Sequence, residues 1–249
     1  MLECGRVIGA PVTAGTLDEV ADAVMRAARE GRGGYVCVAD AHMVTTARRD
    51  PELLAIMEGA LAVASDGMPL VWELRRQAHR AERVAGPDLT LGLCERAAAE
   101  AMPVFLYGSA PATMNALVTA LCKRFPTLVV AGYETPPMLP RRPPIDPEVG
   151  ARIEASGARL VLVGLGCPKQ DFWMAAHAPR LSAALVGVGA AFEFHAGITP
   201  RAPRWMQRRG LEWLFRLACE PRRLWKRYLV TVPLFLWYLA LGRPTRAEG

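Results

Sequence analysis

The sequence predicts a doubly wound α/β fold built on a mostly parallel sheet, followed by a basic helical segment. Three observations carry this prediction. Short apolar runs alternate with stretches of helical periodicity through the first 200 residues. Nearly all of these runs are continuously apolar rather than alternating, as in strands buried on both faces of a parallel sheet. Positive charge collects at one end: from Arg201 to Arg227 nine Lys or Arg stand against two Glu, while the whole 249-residue chain carries only +6. The remainder of the chain is therefore close to neutral, and the basic end, with Trp205, Trp213 and Trp225 threaded through it, has an anionic partner to meet.

Strands are expected over 34–39, 60–65, 104–107, 128–131, 160–163 and 184–189. Helices are expected between them, over 17–29 with Thr16 as N-cap, 51–58, 88–100, 112–124, 147–155 and 170–177. Such alternation gives a doubly wound sheet, whose ligands bind beyond the C-terminal ends of the strands. The proline-rich stretch 135–144 forbids regular structure and forms either a mobile rim over the sheet or a plain surface connection.

Composition narrows the class. With 52% apolar and 22% charged residues the chain has a core and is not disordered. Its length allows one large α/β domain or two small ones. Cys4, Cys37, Cys94, Cys122, Cys167 and Cys219 are scattered without a CxxC pair, which fits neither a zinc site nor a disulfide scaffold and points to reduced thiols in a cytosolic protein. The first residues, Met1-Leu-Glu-Cys-Gly-Arg6, lack the pattern of a signal peptide. The longest apolar run, 228–241, falls short of the ~20 residues a spanning helix needs, and Pro233 interrupts it. It suits a helix in the membrane interface or one packed on the domain.

The residues after each strand are the candidate site. Asp40 follows the first run and Asp66 the second, in Ser65-Asp-Gly-Met68. A carboxylate there can act as a general base toward a hydroxyl; Asp66 equally suits the cap of a helix starting near Met68. Gly108, in Gly108-Ser-Ala-Pro-Ala-Thr113, opens a strand-to-helix turn of the kind that favours phosphate. Gly164-Leu-Gly166-Cys-Pro-Lys-Gln170 has Lys169 where a dinucleotide fingerprint needs its third glycine. Lys169 and Gln170 either bond a diphosphate or base, or simply open a helix. Gly189 closes the last strand, where small residues allow close backbone approach; His195 beyond it has no partner set. No Asp-x-Asp motif or His/Cys cluster occurs, so no metal site and no cofactor are expected.

Together these pieces resemble the bacterial WecG/TagA/CpsF glycosyltransferase family. The likeness runs through Ser65-Asp-Gly-Met68, Arg83-Val-Ala-Gly86 with Asp88, Val163-Gly-Leu-Gly-Cys-Pro-Lys-Gln170, Gly187-Val-Gly189 and Ala196-Gly197. It continues through Arg201-Ala-Pro-Arg-Trp205, Leu211-Glu-Trp213, Arg216 and Glu220-Pro-Arg-Arg-Leu-Trp-Lys-Arg-Tyr228. The resemblance implies a Rossmann-like catalytic domain over 1–199 and a C-terminal helical, membrane-facing appendage over 200–249. It implies inverting transfer of a sugar from a UDP-sugar to a polyprenyl-diphosphate-linked saccharide at the inner face of the plasma membrane, in cell-surface polysaccharide synthesis. It assigns the base to Asp66 and further site roles to Arg83, Gln170, Arg216, Arg223 and Arg227. Arg208, Arg209, Trp225 and Lys226 are left to face an anionic membrane surface. The segment Gly132-Tyr-Glu-Thr-Pro-Pro137 is similar to the exopolysaccharide-type branch.

The chain departs from the family pattern at Asp40, where many members have Asn, at Gln170-Asp171 for Gln-Glu, and at Phe192-Glu193 for Phe-Asp. Two other functions compete: a nucleic-acid-binding module using the basic end, and a nicotinamide-dependent oxidoreductase on the same kind of sheet. The near-neutral remainder of the chain argues against the first, and Lys169 in place of glycine against the second.

Overall fold

The structure is a computed structural model that describes residues 2–242. The last positions of the expected appendage, 243–249, lie outside the described residues. A parallel sheet of six strands runs in the order β4 (Ala62–Ser65), β3 (Tyr35–Ala39), β8 (Ala184–Gly187), β7 (Leu160–Gly164), β5 (Val104–Gly108), β6 (Val130–Glu134). Side chains alternate across it. Leu106, Leu162 and Val186 pack on one face, against α1 (Leu17–Glu30), α5 (Gly86–Ala99) and α6 (Pro111–Arg124). Phe105, Tyr107, Val161, Val163 and Leu185 pack on the other, against α7 (Pro147–Ala155) and α8 (Lys169–His177). Both faces are covered, which is why the strands read as unbroken apolar runs.

The helix α1 starts at a capping box: Glu19 N–H donates to Thr16 Oγ1 (3.2 Å) and Thr16 N–H to Glu19 Oε2 (2.7 Å). Asp40 and Asp50 cap α2 (Ala41–Ala47) and α3 (Pro51–Glu58) through the N–H groups of Met43 and Leu53. These caps fix where the chain leaves a strand and enters a helix, and so where the strand-end residues point.

Several expectations need correction. A two-stranded hairpin, β1 (Cys4–Val7) and β2 (Ala10–Thr13), precedes α1 and packs beside β4. Its turn, Ile8-Gly9, holds both residues at positive φ without the Asn-Gly or Asp-Gly that announces such a turn. The edge strand β6 begins two residues later than the expected 128–131 and ends three later: Leu128 packs into the core ahead of the strand, while 130–134 is only partly buried and pairs with β5 across a register shift. The strand β8 ends at Gly187, two residues short of the expected 189, and a short α9 (Ala191–His195) follows it, while the helix expected near Met68 is α4 (Met68–Arg76).

The basic end forms α10 (Arg204–Arg208), α11 (Glu212–Cys219) and α12 (Pro221–Leu241). Pro233 does not end α12, which runs unbroken through it to a total length of 21 residues. The helix packs on α2 and buries Leu224, Thr231 and Phe235, and Thr231 Oγ1 lies 3.1 Å from His42 Nδ1. Its outer side is apolar and open: Leu229, Trp237 and Leu241 are all exposed and line no cavity. Among the described residues no helix is long and apolar enough to cross a membrane.

Candidate active site

The C-terminal ends of the strands and the inner faces of α11 and α12 enclose a cleft of about 1180 Å³. Asp40, Asp66, Arg83, Gly164, Gly166, Lys169, Gln170, Gly189, Arg216, Arg223 and Arg227 all line it, so residues from across the chain meet in one hollow.

Asp66 sits immediately after β4, held by its own N–H bonded to Ala39 O at 2.9 Å. It does not cap α4, whose N-cap is Gly67 without a side-chain bond. Its carboxyl faces Arg83 instead. Arg83 Nε donates to the Asp66 carbonyl oxygen, and Arg83 Nη2 donates to Asp66 Oδ1 at 2.9 Å and to Glu212 Oε2 at 2.6 Å. Burial pushes the Asp66 carboxyl above its ordinary value; Arg83 opposes this, while Glu212 and Asp40 add to it. Arg83 is thus largely engaged within the protein. Glu212 is inconspicuous in the sequence, as one of two acidic residues in a basic stretch; its place in Leu211-Glu-Trp213 is the signal that marks it.

Asp40 serves two structures at once. Oδ1 accepts from Met43 N–H at 2.9 Å and Oδ2 from Arg227 Nη2 at 2.6 Å. Burial raises the Asp40 carboxyl, but Arg227, His42 and the Met43 N–H outweigh it and hold it below its ordinary value. The three C-terminal arginines therefore differ. Arg227 is neutralised by Asp40, and Arg223 by Glu220 at 2.7 Å and Glu193 at 3.5 Å. Arg216 is the least neutralised: its closest carboxylate, on Glu220, is 3.9 Å away, its Nε is buried without a partner, and its guanidinium lies 5.5 Å from the Phe194 ring centre.

The turns after β5, β7 and β8 form the floor. Gly108 stands outside the lining; a Cβ there would come 2.7 Å from the Gly164 carbonyl, so its bareness lets two strand ends pass. Ser109, Ala110 and Pro111 of the same turn line the cleft. Gln170 is buried beneath Gly187 and accepts from Gly166 N–H at 3.1 Å, tying the turn after β7. Asp171 beside it is fully buried, with neither carboxyl oxygen hydrogen-bonded and the thiols of Cys37 and Cys167 nearby. Burial pushes this carboxyl up to about 7. His195 bonds the Pro87 carbonyl at 2.9 Å and holds α9 on α5.

The proline-rich segment forms the rim. Pro136, Pro137, Met138 and Leu139 line the cleft, while Arg141 and Arg142 pair with Asp50 and Glu52 and tether the segment to α3. Arg208, Arg209, Trp225 and Lys226 lie outside the cleft and are exposed, with Lys226 Nζ 5.5 Å from the Trp225 ring centre. The structure thus separates the C-terminal cations into those turned inward and those turned out.

A cleft at the strand ends, holding one carboxylate of raised proton affinity and several inward guanidinium groups, suits a reaction that removes a proton from one substrate and releases an anion from another. Comparison with known families agrees: the model of the Glycosyl transferase WecG/TagA/CpsF family matches residues 5–248, nearly the whole chain. The chain belongs to this family and is a glycosyltransferase.

Proposed function

We propose that the protein transfers a sugar from a UDP-sugar to a polyprenyl-diphosphate-linked saccharide, with inversion, in cell-surface polysaccharide synthesis of the exopolysaccharide type. The observation that carries this reading is Asp66, a carboxylate of raised proton affinity at the end of β4, facing a cleft into which Arg216 and Lys169 also project. Asp66 takes the proton from an acceptor hydroxyl. The hydroxyl oxygen bonds the anomeric carbon on the face opposite the leaving group, and the bond to the diphosphate oxygen breaks with its electron pair leaving on UDP.

The leaving diphosphate needs positive charge aimed at it. Arg216 is the foremost candidate because it lacks a close internal counter-ion. Arg223 and Arg227 contribute by exchanging their carboxylate partners for phosphate oxygens. Gly164, Gly166 and Gly189 keep the floor bare enough for the donor to lie against backbone. No metal or other cofactor is assigned.

The lipid-linked acceptor reaches the cleft from the membrane. The exposed apolar side of α12 lies in the bilayer interface, and Arg208, Arg209 and Lys226 meet anionic headgroups, each contributing about 1 kcal/mol. Incubation with a panel of UDP-sugars and a polyprenyl-diphosphate acceptor, reading UDP release and thermal stabilisation, tests the reading. One UDP-sugar should stabilise the protein and release UDP in an acceptor-dependent way; no response to any UDP-sugar would overturn it.

A further inference from the structure

One guanidinium nitrogen serves two carboxylates. Arg83 Nη2 donates to Asp66 Oδ1 at 2.9 Å and to Glu212 Oε2 at 2.6 Å, and Glu212 arrives from α11, more than a hundred residues away in sequence. We propose that Glu212 is a positioning residue for the transfer step: it divides Arg83 between two carboxylates, leaving Asp66 able to take a proton and giving Arg83 a counter-ion once it has. This rests on the reading of Asp66 as the base.

The argument is one of charge. An arginine paired to a single aspartate favours the ionised carboxylate and weakens it as a base. Here the cation is shared, and the group of three carries one net negative charge before transfer. When the acceptor proton reaches Asp66, the Asp66 half of the pairing lapses. Without Glu212, Arg83 would then be a half-buried cation hydrogen-bonded to the Asp66 carbonyl oxygen but with no carboxylate paired to it, which is costly. With it, the proton's arrival leaves a neutral Arg83–Glu212 pair. Little solvent reaches the group to screen these effects: side-chain exposures are 30% for Asp66, 17% for Arg83 and 14% for Glu212.

The other charges facing this group come from every side of the cleft. Asp40, after β3, adds to the proton affinity of Asp66 and is itself held by Arg227 of α12, with His42 of α2 and Arg216 of α11 close by. Glu73 and Arg76 of α4 line the same cleft as a pair. Arg201, ahead of α10, acts on both Glu212 and Arg83 and is itself paired to Asp88 of α5, and Tyr228 of α12 faces Glu212. All of these remain when Glu212 alone is changed, so a Glu212→Gln variant isolates its charge. Glutamine keeps the length and an oxygen that accepts from Arg83.

The direct test needs no substrate. The Asp66 carboxyl carbon, ¹³C-labelled and assigned by its absence from Asp66→Asn, is titrated by NMR in wild type and in Glu212→Gln. We expect its titration midpoint to fall by about one pH unit in the variant. The acid limb of UDP release in the transfer assay should move the same way, with turnover down about tenfold. A Glu212→Asp variant, which keeps the charge but draws it back by one methylene, should restore part of both and serves if the glutamine variant does not fold. An unmoved or raised midpoint overturns the proposal, as does faster turnover, which would mean that Glu212 occludes Arg83. If Asp66→Asn retains turnover, the base assignment falls; if it is inactive but Glu212→Gln leaves the midpoint unchanged, only the present proposal falls.

Discussion

Asp88 and Arg201 are joined by two parallel hydrogen bonds, each 2.6 Å long. Asp88 lies in the first turn of α5, and Arg201 opens the segment leading to α10, so this fork ties the C-terminal helices to the sheet domain. Arg201→Ala should cost about 1 kcal/mol, the upper range for a part-exposed pair, and should make the chain around 200–203 sensitive to protease. Burial raises the Asp88 carboxyl, but Arg201 outweighs it and holds it below the ordinary value of 3.8. The pair's contribution is therefore complete above that value and is lost as pH falls through the lower folded value. Wild type and Arg201→Ala should converge in stability there; a difference that persists unchanged into strong acid would contradict this.

Asp171 has the opposite sign. Its carboxyl is pushed up from 3.8 to about 7, so the fold favours its neutral form, and stability declines as pH rises through that interval. Asp171→Asn should gain little near pH 4 and progressively more toward pH 7, levelling off above, with a plateau on the order of 2–4 kcal/mol. Urea denaturation at several pH values reads this directly. A pH-independent difference would place the effect in packing rather than ionisation.

The outer face of α12 makes a membrane prediction. Leu229 and Trp237 are 65% and 61% exposed although apolar, and neither lines the cleft. Changing both to Glu should abolish flotation with anionic vesicles while leaving helix content and UDP-dependent stabilisation intact. Removing everything after Thr199 should also abolish flotation, together with activity. Retained flotation in either case would show that docking lies elsewhere.

Much of this architecture is legible in the chain. The strands Tyr35–Ala39 and Leu160–Gly164 declare themselves because both faces are buried, and Thr16 with Glu19 spells out a helix start. Signals fail where the energy is non-local. The edge strand Val130–Glu134 has no neighbour on one side to fix its place, so its apolar run misreports its bounds. Pro233 reads as a breaker, yet packing of Thr231 and Phe235 against the domain carries the helix past it. Within the site, Asp66 and the inward arginines are visible from their motifs. That Arg83 serves Asp66 and Glu212, and that Arg216 alone of the three C-terminal arginines lacks a close carboxylate, depends on contacts between distant segments.

The central claim is that Asp66 is the base of glycosyl transfer. Asp66→Asn keeps the shape of the side chain and an oxygen to accept from Arg83 but cannot take the acceptor's proton. A positioned base typically contributes 10²–10⁴-fold. With the UDP-sugar that stabilises the wild type, this variant should show transfer reduced by about that factor and donor-induced thermal stabilisation preserved. Turnover near the wild-type level, with donor binding intact, would contradict the account.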